Sequence, residues 1–107
     1  MAYYLLQVAY TPEAWGTMIR NPQNRMDLVR PAVEQAGGSI ECGYFAFGDY
    51  DLVTILQVPD NVTAASLSLA FSAGGAVKAI KTTPLLTMEE GMEAMRRAGG
   101  TSYRPPQ

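Results

Sequence analysis

A chain of 107 residues can build one modest core and is too short for two independent ones. Hydrophobic residues make up 48% of it and charged residues only 17%, so little charge is left to cover the surface, and part of the apolar surface is expected to lie under a partner. The net charge of -2 comes from 10 acidic and 8 basic residues without single-sign runs, which leaves no footprint for gripping a phosphate backbone and argues against nucleic-acid binding. Cys42 is alone, so no intrachain disulfide is expected and a reducing compartment is the simple reading. The start, "MAYYLLQVAY", lacks a basic n-region, and no apolar run approaches the roughly 18 residues of a membrane span. The expectation is a cytoplasmic protein with no membrane segment, in which the sequon Asn61-Val62-Thr63 is accidental.

In chain order, Tyr3 to Tyr10 is apolar or aromatic except for Gln7 and reads as a first strand. Thr11-Pro12-Glu13 is a helix-start signal, followed by a short helix over Trp15–Arg20. Asn21-Pro22 interrupts it, and a main helix from about Pro22 to Ala36, kinked near Pro31, ends at Gly37-Gly38. Ile40–Phe47 and Leu52–Val58 are rich in β-branched and aromatic residues and form a hairpin. Pro59-Asp60-Asn61 opens a helix of small residues, "VTAASLSLAFSA", closed by Gly74-Gly75 before a fourth strand over Ala76–Thr82. Thr87 and Glu90 form a capping box for a last helix that ends at Gly99-Gly100. The order is βαββαβ plus a C-terminal helix: an α+β, ferredoxin-like fold with a four-stranded antiparallel sheet. Residues 1–99 form one domain and residues 100–107 a flexible tail.

Both faces of this sheet are apolar under a period-two reading. Strand one places Tyr4, Leu6, Val8 and Tyr10 on one face and Tyr3, Leu5, Gln7 and Ala9 on the other. The third strand sets Leu52, Thr54, Leu56 and Val58 against Val53, Ile55 and Gln57. A sheet with one wet side alternates more cleanly. Both main helices of a split βαβ unit lie on one face, so the other needs a different cover. At about 25 cal/mol per Å² of apolar area, hiding several hundred Å² favours association by several kcal/mol before entropy costs. The expected cover is a second copy, sheet against sheet, in a homo-oligomer. The competing reading lays the last helix over that face, through the stripe of Met88, Met92 and Met95.

In this topology Tyr10, Trp15, Asp49, Tyr50, Asp51 and Lys78 collect at one end of the sheet. As a catalytic group, Asp49 or Asp51 is a general base, Lys78 or Tyr50 its electrostatic partner, and Trp15 an apolar wall around a small polar substrate. As a hairpin corner, Gly48 supplies a positive φ, Asp49 fills a turn position, Tyr50 packs on the sheet end, and Asp51 pairs with Lys78 or caps nearby backbone. As a binding site, the same end offers Tyr10, Trp15, Tyr50 and Lys78 to a small molecule. With no histidine and one cysteine, neither a metal nor a haem is expected, no cofactor is expected, and Cys42 reads as a strand-packing residue. "SAGGAVKAIKTT" lacks the order of a phosphate loop and reads as a helix exit followed by a strand.

Gly48, Tyr50 and Asp51 within "YFAFGDYDLVTILQVPDNVTAASL", followed by "SAGGAVKAIKTTPLLTMEEG", resemble the GYD domain family of small, mostly bacterial proteins. The likeness covers roughly Tyr3 to Ala98 and is most specific from Gly43 to Gly91. That family is similar to the dimeric α/β barrel group, which includes ligand-sensing domains of amino-acid-responsive regulators and small cofactor-free enzymes. The resemblance implies a ferredoxin-like fold with back-to-back sheets and implies no particular reaction. Two functions follow as expectations: a homo-oligomeric module that binds a small molecule or a partner, or a small cofactor-free isomerase or monooxygenase using a turn carboxylate as base.

Overall fold

The computed structural model describes all 107 residues. Strand β1 spans Ala2–Tyr10, helices α1 and α2 span Pro12–Arg20 and Arg25–Gln35, and the hairpin strands β2 and β3 span Ser39–Phe45 and Leu52–Val58. Helix α3 (Asn61–Ala73), strand β4 (Val77–Leu85) and helix α4 (Met88–Gly99) follow. The strands form one antiparallel sheet in the order β2-β3-β1-β4, an α+β arrangement consistent with a ferredoxin-like fold.

Several boundaries differ from the sequence reading for local reasons. Helix α1 starts at Pro12 rather than Trp15, because the Thr11 hydroxyl accepts from Ala14 N at 3.1 Å and Pro12 takes the first helical position. Helix α2 starts at Arg25 rather than Pro22, because Asn24 is its cap, accepting from Met26 N at 2.9 Å. It runs through Pro31 and is followed by Gly37, whose φ of 88° only glycine adopts freely. Strand β2 ends at Phe45, short of the expected Phe47. Strand β4 continues past Thr82 to Leu85, since an edge strand tolerates Pro84 and its missing N–H. The capping box of α4 forms as expected, with Thr87 and Glu90 each bonding the other's backbone N–H.

Alternate residues of the two central strands build the core. Tyr4, Leu6, Val8 and Tyr10 of β1 and Leu52, Leu56 and Val58 of β3 pack against Met18 of α1, Val29 and Val33 of α2, and Ala64 and Leu67 of α3. Each buried aliphatic side chain contributes about 1.5–3 kcal/mol relative to exposure. Thr54 is the one buried polar residue, and its hydroxyl donates to Cys42 O at 2.6 Å, beside the irregularity where β2 slips register between Ile40 and Cys42.

The opposite face is left open. Tyr3, Leu5, Val53 and Ile55 lie there only half-buried, because the helices that bury residues do so on the other side. Helix α4 buries none of its residues, and Met88, Met92 and Met95 are 87%, 53% and 74% exposed. The chain is correspondingly long, 57 Å on its major axis, with a radius of gyration of 17.0 Å. A compact chain of this length has about 13 Å. The last helix therefore does not cover its own sheet.

Candidate functional site

The site begins where β1 leaves the sheet. Strand β3 starts pairing at Leu52 opposite Val8, so Tyr10 lies beyond the regular β1–β3 ladder. Asp51 takes over there. Its own N–H donates to Val8 O at 2.8 Å, and its carboxylate Oδ2 accepts from Tyr10 N at 2.8 Å and from Trp15 Nε1 at 3.3 Å. Ala46 N donates to Asp51 O at 2.8 Å and closes the loop Phe47–Tyr50. One aspartate thus joins the hairpin, the end of β1 and the first turn of α1. Thr11 N, donating to Ala76 O at 2.9 Å, brings the start of β4 to the same end.

Around this junction an aromatic cluster forms. Trp15 meets the Tyr10 ring edge-on, with centroids 5.7 Å apart, and tilts against Phe45 at 6.4 Å. The Arg25 guanidinium lies over the Tyr10 ring, 5.9 Å from its centroid. Burial pushes the Tyr10 phenol above its ordinary value, the Arg25 charge and hydrogen bonding pull it back, and the negative charge of Asp51 adds to the rise. At neutral pH the hydroxyl is therefore protonated.

Beside Tyr10 and Arg25 a cavity of about 220 Å³ runs between the helix-covered face of the sheet and helices α2 and α3. Its walls are mainly apolar, with Leu6, Val8, Leu52 and Val77 from the strands and Val29 and Phe71 from the helices. Arg25 and Leu52 also border a more open groove formed by Pro22–Met26 and Gly43–Phe45. Arg25 thus stands between an outer groove and an inner cavity. No three histidine, cysteine, aspartate or glutamate side chains converge to hold a metal.

A family model of the GYD domain matches residues 4–95. The chain belongs to the GYD domain family. No curated protein matches it significantly. Gly48, Tyr50 and Asp51 of this GYD protein occupy the corner between β2 and β3, and the aspartate is the residue that ties the corner to β1. Helices in this GYD protein are too short or too polar to cross a membrane.

The structure joins three of the residues expected at this end, namely Tyr10, Trp15 and Asp51. Tyr50 is half-buried in the corner and Asp49 is exposed on the loop, and neither side chain makes a hydrogen bond. Lys78 is exposed on the edge strand β4 and forms no ion pair, so of the two expected roles of Asp51 the capping of nearby backbone forms, joined by the Trp15 indole, and the pairing with Lys78 does not. Gly48 does not have a positive φ, which occurs only at Gly37 and Gly75. A loop of this length closes through Ala46 and Asp51 without a left-handed residue. The cavity lies under the helices, away from the open sheet face. Arg25 and Phe45 join the cluster without a sequence signal, because nothing in their local pattern ties them to Tyr10 or Trp15.

Proposed function

We propose that this GYD protein is a homo-oligomeric binding module that encloses a small molecule in the cavity beside Tyr10 and Arg25. The observation that carries this reading is the combination of a mostly apolar cavity wall with one neutral phenol and one guanidinium at its border. The half-buried apolar face of Tyr3, Leu5, Val53 and Ile55 and the exposed methionine stripe of α4 support assembly with further copies, in a cytoplasmic setting suited to the unpaired Cys42. The enzyme reading is less well supported. Asp51 commits its carboxylate to two N–H donors, and Asp49 faces solvent outside the cavity.

The test is native mass spectrometry of the purified protein together with a thermal-shift screen against a broad panel of small molecules. The reading predicts a retained or stabilising ligand whose binding changes the fluorescence of Trp15, the single tryptophan. An Ala76→Phe variant, which projects a ring into the cavity, is expected to lose that response while remaining folded. A panel with no hit, or hits indifferent to Ala76→Phe, sinks the proposal.

A further inference from the structure

We infer that the cavity takes a small organic anion, a carboxylate with an apolar body, gripped by the Nε and Nη2 edge of Arg25; this rests on the binding role proposed above. The first support is what Arg25 lacks. Its Nη1 donates to Gln23 Oε1 at 2.8 Å, while its Nε is shielded from solvent and has no hydrogen-bond partner. Nε and Nη2 share one edge of the planar guanidinium and present two parallel N–H groups, the fork that a carboxylate fills with both oxygens. A charged donor held out of water without an acceptor is the kind of orphan that a ligand relieves.

The second support is charge. Arg25 forms no ion pair, since the salt bridges of the chain link Glu93 to Arg96 and Arg97 on α4. Asp51, which approaches the same tyrosine, holds Tyr10 N and Trp15 Nε1 instead. Arg25 is moreover the first residue of α2, where the helix dipole disfavours a cation and favours an anion. An incoming carboxylate corrects both at once.

The third support is the body of the site. The walls beyond Arg25 are apolar apart from the Tyr10 phenol and Thr54, whose hydroxyl is committed to Cys42 O, and the space equals about seven water molecules at roughly 30 Å³ each. A phenyl ring or a short alkyl chain matches that scale. No second cation lines the cavity, which favours a monoanion over a phosphate.

The experiment titrates the full-length protein, in its purified assembly, with benzoate, phenylpropionate and hexanoate, with the corresponding amides, and with inorganic phosphate, read by calorimetry and two-dimensional NMR. At least one acid is expected to bind about tenfold or more tightly than its own amide, the preference that a charge-assisted hydrogen bond supplies. Arg25→Met is expected to erase the preference, and Arg25→Lys, which keeps the charge but not the fork, to erase most of it. Acids and amides binding alike, phosphate outcompeting the acids, or a preference unchanged in a folded Arg25→Lys protein overturns the anion assignment and leaves the binding module standing. If neither acids nor amides bind while the Proposed-function panel also yields nothing, both fail together. The acid-against-amide comparison uses the unmodified protein, so it decides even if Arg25→Met does not fold.

Discussion

The carboxylate of Asp51 accepts a hydrogen bond from the backbone N–H of Tyr10 at 2.8 Å, in the place where a further residue of β3 would have accepted it. Aspartate suits the position because a short acidic side chain reaches the end of the neighbouring strand and still leaves its own N–H free for Val8 O. Asp51→Ala leaves a partly buried N–H unpaired and is expected to cost about 1–3 kcal/mol. Asp51→Asn keeps an acceptor oxygen and is expected to retain most of that. Urea unfolding followed by circular dichroism measures both. Equal stability of Asp51→Ala and the parent protein would refute the structural role and return attention to Asp51 as a reactive carboxylate.

Glycines in this chain separate into those that hold a close approach and those that do not. A Cβ at Gly38 would run into the Gln57 carbonyl and Val58, both fixed in β3. Gly38→Ala is therefore expected to destabilise by about 1–3 kcal/mol, the usual cost of forcing extra volume into a packed region. A Cβ at Gly48 meets nothing within 4 Å and its φ is not positive. Gly48→Ala is expected to stay within about 0.5 kcal/mol of the parent, as surface changes do. Thermal melts of the two variants side by side check the contrast, and an equal loss at Gly48 would mean that the corner carries strain not visible in its backbone.

These two cases also mark how far the residues alone can be read. The hairpin was legible because its strands are β-branched and aromatic and their separator is polar. The helix caps at Thr11, Asp60 and Thr87 were legible because capping is local chemistry within one turn. Bringing Tyr10, Trp15 and Asp51 together needed only the strand order. Arg25 was not legible, since its place over Tyr10 depends on where Asn24 starts α2 and on how α2 crosses the sheet. The same holds for Lys78, which shares the right end of the sheet but sits on the exposed side of an edge strand. Register tells which end a residue occupies, while the neighbour it touches is decided by packing.

Tyr10 makes stability depend on alkaline pH. Burial raises its phenol in the folded protein above the ordinary value of 10.0, with Arg25 opposing the rise and Asp51 adding to it. The folded state then keeps a proton that the unfolded chain releases, so the contribution is complete below pH 10.0 and is lost as pH climbs through the folded-state value. Relative to Tyr10→Phe, the parent protein is expected to lose stability above that pH and to show a constant difference below it. Chemical denaturation of both proteins across the alkaline range gives the comparison. Parallel curves throughout would mean that the phenol titrates as freely in the folded protein as in water.

The open face of the sheet decides whether one copy is enough. Ile55 is half-buried there, pairs with Leu5 across β1–β3, and is absent from the core that Val29, Val33 and Leu67 build with the other face. Ile55→Glu therefore places a charge where a partner sheet is proposed to pack and leaves the protomer's own core intact. At about 25 cal/mol per Å², losing several hundred Å² of apolar contact removes several kcal/mol from association, enough to separate the copies at micromolar concentration. Light scattering coupled to size exclusion is expected to find an oligomer for the parent and a folded monomer for Ile55→Glu. Met92→Gln with Met95→Gln adds a distinction, because both side chains are exposed and contribute nothing to their own protomer's core. A weaker oligomer in that double variant means that α4 lies against a neighbouring copy, whereas an unchanged one means that sheet pairing alone holds the assembly. A parent protein that stays monomeric at every concentration would remove the reason for its two-sided apolar strands and with it the proposed assembly.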